Sequence, residues 1–212
     1  MLKESNTPIE DHMTGVNWPL QLSFKLLTIS ARLTVTDAQG RVVCSVKKKK
    51  FKLREHVEVF ADADQTQHLG DIKADNVLDF SGRYAFTDLN GNDLGAVGRQ
   101  GMKSIFKARY DVFDAGDNKA DYEISEENPM AKFFDGVLGG VPILGMFTGF
   151  FFHPRYAAVD TSGQIVMRLT KKAAFFEGKF EMERVGGELT GRQELNLILS
   201  FLMLVLLERA RG

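Results

Sequence analysis

An almost unbroken apolar run, Leu195–Leu207, lies near the end of the sequence, and only Asn196 and Ser200 interrupt it. Thr190 and Gln193, directly before the run, fit a capping box, in which threonine accepts from a first-turn amide and glutamine reaches back. The two polar residues of the run fall within about 40° of each other around a helix. The remaining circumference is apolar, which is typical of a helix that is buried on every side or lies in lipid.

The length of the run bears on three interpretations: a buried core helix, a tail anchor and a membrane span. As a helix the run extends about 20 Å, whereas the hydrocarbon core of a bilayer is about 30 Å thick. We therefore predict a central helix at 191–209 that is buried within the fold, with the anchor and the span as alternatives. A closed β-barrel is one of the few architectures that can surround a helix completely.

Three segments, 33–40, 84–91 and 156–163, repeat a β-prone run that leads into Asp-x-x-Gly. Aspartate at the first position and glycine at the last favour a type I turn. In each copy an apolar run, a basic stretch and an alternating strand follow the turn, at a nearly constant distance from the aspartate. The pattern predicts three related hairpin units.

Further strands are predicted at 20–27, 68–74 and 120–125, which brings the total to about 12 short strands separated by turn signals. This number predicts a mainly β fold, a closed antiparallel barrel of about 12 strands around the buried C-terminal helix. We expect an N-terminal extension at 1–19 and a single barrel domain at 20–212.

An insertion at 128–152 separates the second and third hairpin copies. Its part 136–152 contains no charged residue, and its glycines and Pro142 disfavour a regular membrane span. Packing against the barrel, a surface loop that contacts a membrane or a partner, and a span are the alternatives. The aromatic residues that would make such a contact are Phe147, Phe150, Phe151 and Phe152.

The net charge, the cysteine content and the start of the sequence limit the classes of function and the location that we expect. The formal net charge of −1 gives no global attraction to nucleic acid or membranes, so any such binding requires a local patch. Cys44 is the single cysteine, which suits a reducing compartment and a buried, inert thiol. The polar start of the sequence lacks the apolar region of a secretory signal, so we expect a cytoplasmic protein, with peripheral membrane association as an option.

Several segments together form a recognisable pattern: Phe24-Lys25, the hairpin at 35–42, Phe51–Leu53 with 57–60, 175–179, and the apolar helix that ends Leu206-Leu207-Glu208-Arg209. With these segments the chain resembles the LURP-one-related family, within the tubby C-terminal-like and phospholipid-scramblase-like group. The resemblance implies a 12-stranded barrel around a hydrophobic C-terminal helix. Tubby-type members bind phosphoinositides and scramblase-type members act on membranes, so the resemblance also implies a lipid-binding function.

Basic residues that follow the three hairpins are the candidate site for anionic lipid or phosphate. If the repeats surround a barrel, these residues share one rim, which would attract anionic headgroups by about 1 kcal/mol per cation. A solvated edge is the alternative, and we expect no nucleic-acid partner because few aromatic rings accompany the cations. The residues are Lys47, Lys48, Lys49, Lys50, Lys52, Arg54, Arg99, Lys103, Lys107, Lys171 and Lys172.

The sequence contains no recognisable catalytic constellation, so we expect a non-enzyme without a cofactor. The four histidines have no ligand spacing, which predicts no metal site. The first hypothesis is a module that binds anionic lipid or phosphoinositide-like headgroups at the cytoplasmic membrane surface. The alternative is a structural module that uses 136–152 to bind a protein partner or a second copy. A scramblase-like activity is the third.

Overall fold

The computed structural model describes residues 8–13, 15–25, 32–48, 56–74, 82–100, 109–127, 154–172 and 177–209. Within these residues the chain forms twelve strands and two helices, α1 (Pro8–Met13) and α2 (Gly191–Arg209). The strands are β1 (Leu20–Lys25), β2 (Arg32–Thr36), β3 (Val42–Lys48), β4 (His56–Phe60), β5 (His68–Ala74), β6 (Arg83–Asp88), β7 (Asp93–Arg99), β8 (Arg109–Phe113), β9 (Tyr122–Glu126), β10 (Arg155–Asp160), β11 (Ile165–Lys172) and β12 (Glu177–Arg184).

The strands form one closed antiparallel barrel in which chain neighbours are also sheet neighbours. β1 pairs with β12 as well as with β2, and this pairing closes the ring. Buried side chains alternate along strands such as β9, where Tyr122, Ile124 and Glu126 are the buried positions. Alternate side chains of each strand therefore point into the barrel and line its inner surface. The predicted fold, a mainly β closed barrel with a C-terminal helix against its strands, is confirmed.

The three predicted Asp-x-x-Gly turns join β2 to β3, β6 to β7 and β10 to β11. In each turn the glycine donates its backbone N–H to the carbonyl oxygen of the aspartate, over 2.9–3.2 Å. The aspartate carboxylate accepts N–H groups from residues two and four positions further along the chain. Each hairpin also contains a register shift of the β-bulge type. The three hairpins are therefore structural repeats.

Helix α2 fills the barrel. Thr190 Oγ1 accepts the N–H of Gln193 at 3.2 Å, and Gln193 Oε1 accepts the N–H of Thr190 at 3.0 Å, so the predicted capping box is present. Every residue from Leu195 to Leu206 is at most 3% exposed, which confirms the buried core helix. Within the described part of the chain, no helix has both the length and the apolar character needed to cross a membrane.

The two polar residues of the apolar run are both completely buried. Asn196 donates to the carbonyl oxygen of Phe113 at 2.9 Å and to Asp114 Oδ1 at 3.0 Å. Gly95 makes room for this side chain, since a Cβ there would lie 2.6 Å from Asn196 Nδ2. Ser200 Oγ has no hydrogen-bond partner among the described residues. Asn196 thus ties the helix to β7 and β8, whereas Ser200 makes no such link.

The short helix α1 packs against the first part of α2 and against β3 and β5. Ile9 and Met13 are each 1% exposed, so both contribute to the core. Glu10 is 2% exposed and pairs with Arg192 Nε at 2.5 Å. Helix α1 thus covers the end of the barrel at which α2 begins. The predicted boundary between an extension and a domain at position 20 stays a prediction.

Cys44 lies on the buried face of β3 and is 0% exposed. Burial raises the pKa of its thiol to about 12. The thiol is therefore protonated at neutral pH and is a poor nucleophile, because the thiolate is the reactive form. The described environment fits the buried, inert thiol expected from the sequence.

Candidate functional site

Antiparallel strands place their connections alternately at the two ends of the barrel. The three Asp-x-x-Gly turns lie at one end, which we call the turn end. β3, β7 and β11 finish at the opposite end, where the last turn of α2 also lies, because Tyr110 near the start of β8 donates to Glu208 Oε1 at 2.8 Å. We call the inner rim of this end, with Lys48, Arg99 and Lys171, the mouth.

Lys48, Arg99 and Lys171 occupy the same position in the three repeats, each eleven residues after its turn aspartate. Their cross-strand partners are at most 8% exposed and belong to the core. Because partners in a cross-strand pair share one face of the sheet, the three basic side chains leave their strands on the inner face. The pairs are Lys48 with Val57, Arg99 with Tyr110, and Lys171 with Phe180.

The neighbouring lysines, Lys47 and Lys172, leave the same strands on the outer face. Lys47 lies opposite Glu58 of β4. Lys172 Nζ pairs with Glu181 Oε1 at 2.5 Å. Each of these lysines therefore has a carboxylate nearby. The structure thus divides the described basic candidates into an inner set at the mouth and an outer set with acidic neighbours.

Acidic groups also face the mouth. Glu208 accepts the Tyr110 hydroxyl, and Glu126 on β9 is 1% exposed. Burial, and then the negative charges of Glu208 and Glu126, raise the pKa of Tyr156. The carboxyl end of α2 adds partial negative charge at the same place. Lys171, which lines the same cavity as Glu208, and Arg99, which lies opposite Tyr110, are placed to balance this end of the helix.

A cavity of about 280 Å³ opens beside the last turns of α2. Its wall is mainly apolar, and Lys171 and Glu208 supply the charged groups. Phe24 stacks with Phe180, with ring centroids 6.3 Å apart. The Phe24 ring also lies over Gly178, where a Cβ would be only 1.9 Å from the ring. The remaining lining residues are Pro154, Tyr156, Leu204 and Val205.

The other predicted site residues lie outside the described residues, so their roles stay predictions. They are Lys49, Lys50, Lys52, Arg54, Lys103 and Lys107 of the basic set, and Phe147, Phe150, Phe151 and Phe152 of the insertion.

Neither Tyr156 nor Glu208 is predicted from the sequence as part of the site. Tyr156 lies in a segment whose pattern predicts only a strand. Glu208 directly follows the apolar run, where a charged residue is common at the end of a helix. Their meeting depends on the position at which α2 ends inside the barrel. The spacing between turn aspartate and mouth residue was the one usable signal, and it identifies the three inner cations.

A comparison with protein-family models matches residues 20–144 to the model described as LURP-one-related. The match covers more than half of the chain. The chain belongs to the LURP-one-related family. No curated protein matches the chain. Membership in the LURP-one-related family suggests a tubby-like domain of the lipid-binding type, in a family that is not known for enzymatic activity.

Proposed function

We propose that this LURP-one-related protein is a non-enzymatic module that binds anionic lipid headgroups through the mouth, at the cytoplasmic surface of a membrane. One observation supports this proposal above all: three basic residues at equivalent positions face inward at the same end of the barrel, and one of them, Lys171, lines an apolar cavity. The headgroup phosphate pairs with Lys171 at the cavity, and Lys48 and Arg99 attract the anionic surface from other positions on the rim. An apolar part of the lipid enters the cavity.

The charges at the mouth favour an anion. The described residues place three cations there against the carboxylates of Glu126 and Glu208. Glu208 already accepts a hydrogen bond from Tyr110. A phosphate group brings further oxygens to the same cations, and charge-assisted hydrogen bonds to phosphate are among the stronger polar contacts in proteins.

The volume and the apolar wall of the cavity limit the kind of ligand that can enter it. At about 280 Å³ it is near the lower end of ligand pockets, which hold roughly 300–1,000 Å³. Its mainly apolar wall suits a hydrocarbon segment better than a second charged group. A lipid that presents its phosphate to the mouth satisfies both requirements, whereas a free soluble phosphate leaves the apolar wall without a partner.

Co-sedimentation with vesicles tests the proposal. Vesicles of phosphatidylcholine alone are compared with vesicles that also contain phosphatidylglycerol, cardiolipin or a phosphoinositide. We expect binding to the anionic vesicles only, and weaker binding as salt is added, because salt screens exposed charges. Equal recovery with neutral and anionic vesicles would overturn the proposal.

A pair of charge-matched variants locates the binding surface. Lys48→Gln with Lys171→Gln removes two cations from the mouth. Arg41→Gln with Lys119→Gln removes two from the turn end, where both residues are exposed. At about 1 kcal/mol per cation, the first variant should bind anionic vesicles at least tenfold more weakly, and the second should bind like the parent protein. An equal loss in both variants would show that the mouth is not the binding surface.

A further inference from the structure

Four side chains of the kinds that bind transition metals meet on the outer face of β4 and β5. Glu58, His68 and Asp71 each offer a ligand atom, and these atoms all lie within 4.8 Å of one another. His56 Nε2 donates to Asp71 Oδ1 at 2.6 Å. His68 Nε2 lies 3.3 Å from the same oxygen. The group lies on the outer face of the sheet, opposite the face that lines the core and the mouth.

A β-bulge brings these residues together. The register of β4 and β5 shifts between Val59 and Phe60, so that Val59 pairs with Gly70 but Phe60 pairs with His68. Leu69, the extra residue of β5, is buried. The shift places His68 on the outer face that Asp71 also occupies, although an odd spacing in a regular strand would put them on opposite faces. Sequence spacing alone therefore did not reveal a set of ligands.

The carboxylate of Asp71 is held in one orientation. Its Oδ1 faces the two imidazoles, while its Oδ2 pairs with Lys73 Nζ at 3.0 Å. Burial acts to raise the pKa of Asp71, but hydrogen bonds from His56 and Lys73 outweigh it and hold the pKa below its usual value. The His68 ring lies against Phe60, with ring centroids 5.4 Å apart. Two of the donor groups are thus positioned by residues around them.

Comparison with the second and third hairpin repeats shows how the outer face of the first repeat, which contains Glu58, differs. Glu58, Asp111 and Glu181 are equivalent, since each pairs with the residue ten positions after its turn aspartate. Two residues earlier stand Arg109 in the second repeat and Lys179 in the third, but His56 in the first. The first repeat also has permanent cations, since Lys47 lies opposite Glu58 and Lys73 pairs with Asp71. Among the described residues, however, it is the repeat that also places imidazole nitrogens beside its carboxylates.

We propose that Glu58, His68 and Asp71 bind a divalent transition-metal ion such as Zn²⁺, and that His56 positions the Asp71 carboxylate. One nitrogen and two oxygen ligands are a donor set that zinc accepts, and three protein ligands leave a further position for water or a partner group. Ligands about 2.0–2.1 Å from a tetrahedral zinc lie roughly 3.3 Å apart. The distance from His68 Nε2 to Asp71 Oδ1 is 3.3 Å.

Metal binding changes the hydrogen bond that His68 makes in the present arrangement. His68 Nε2 now donates to the carbonyl oxygen of Gly70 at 2.9 Å. A metal ion on this nitrogen replaces that contact. The hydrogen bond from His56 to Asp71 and the ion pair from Lys73 can both remain, because carboxylates that bind a metal commonly keep hydrogen-bond partners behind them.

Isothermal titration of the full, tag-free chain with Zn²⁺ tests the assignment. We expect one saturable equivalent of zinc. His68→Gln and Glu58→Gln should each bind at least a hundredfold more weakly, and two variants keep the test decisive if one of them does not fold. Asp111→Asn with Glu123→Gln removes the carboxylate pair at the equivalent place in the second repeat, and it should bind zinc like the parent.

The positioning role of His56 needs a separate measurement, because His56 acts on the metal through Asp71 and does not bind it directly. His56→Ala should weaken zinc binding by about 10–100-fold, while His56→Gln, which keeps a donor for the carboxylate, should restore part of it. With Co²⁺ as the probe, the shape of the visible absorption spectrum should not change in either variant. The proposal is wrong if the parent chain binds no stoichiometric zinc, or if His68→Gln and Glu58→Gln bind it as the parent does.

Discussion

Single residues inside the barrel fix where the helix sits. Asn196 is the polar side chain that reaches from α2 to the backbone of β8, and Gly95 of β7 is the residue that gives it space. An unpaired buried polar group costs more than a paired one, so each partner constrains the other. The apolar side chains of α2 could pack at several rotations, whereas this contact is satisfied at one.

Gly95→Ala should be costly for two reasons. The residue has φ +116°, and its new Cβ would lie 2.6 Å from Asn196 Nδ2 and 2.7 Å from the carbonyl oxygen of Phe113. We expect the free energy of unfolding to fall by about 2–4 kcal/mol in urea titrations. Gly40→Ala is the matched control, because its φ is +82° with open space around it. Its cost should be about 1–2 kcal/mol, and equal losses would contradict the steric argument.

Asn196→Ala and Ser200→Ala remove the two buried polar groups of α2 one at a time. The first leaves the Phe113 carbonyl without the amide donor and should cost about 1–3 kcal/mol of unfolding free energy. The second removes a hydroxyl that has no partner among the described residues, and its effect should stay within about 0.5 kcal/mol. Thermal or urea unfolding of both variants measures the difference, and a larger loss for Ser200→Ala would refute it.

Among the secondary-structure elements, the hairpins could be predicted because the residues that specify each turn are adjacent in the sequence. Asp-x-x-Gly specifies a turn within four residues, and the turns at Asp37, Asp88 and Asp160 all formed. The capping box at Thr190 is local in the same sense. The bulge that joins His68 to Asp71 was not predictable, because it depends on how two strands align rather than on either strand alone.

The hairpin aspartates predict a loss of stability in acid. Burial acts to raise the pKa values of Asp37 and Asp88, but hydrogen bonds from the turn outweigh it, and hydrogen bonds lower the pKa of Asp160. A carboxyl with a lowered pKa in the folded state stabilises the fold above its ordinary value of about 3.9. That contribution is lost as pH falls through the lower, folded pKa.

Urea midpoints measured from about pH 6 down to about pH 3 should therefore fall with pH. Replacing Asp37, Asp88 and Asp160 together by asparagine keeps an oxygen acceptor in each turn but removes the titration. The triple variant should show a shallower pH dependence, though not a flat one, because the pKa of Asp62 is also lowered by hydrogen bonds. An unchanged slope would mean that these turns do not contribute to acid sensitivity.

For the whole molecule, the apolar run predicted both the helix and its surroundings. A helix that is apolar on nearly every side needs an enclosing partner, and about 12 strands provided one. The candidate site was less predictable. The sequence indicated a basic rim, but only the closed barrel shows that Lys48, Arg99 and Lys171 face inward while Lys47 and Lys172 face outward.

Removal of the central helix should abolish the fold. A chain that ends at Thr190 leaves the inner faces of all twelve strands without the apolar side chains of α2. We expect an insoluble product, or one without a cooperative melting transition. Leu202→Asp should have the same effect, because Leu202 is 0% exposed, whereas Leu89→Asp should not, because Leu89 is 56% exposed. A truncated chain that still melts cooperatively would contradict the central role of α2.

The pairing of β1 with β12 has a consequence for biosynthesis. Leu20 lies opposite Met182, so the ring closes between residues that are far apart in the sequence and are synthesised at different times. Until β12 and α2 leave the ribosome, the earlier strands have apolar inner faces and two open edges with no native partner. Such surfaces are prone to aggregate, and pairing over so long a stretch of chain is slow. We therefore expect the nascent protein to depend on chaperones until α2 has been synthesised.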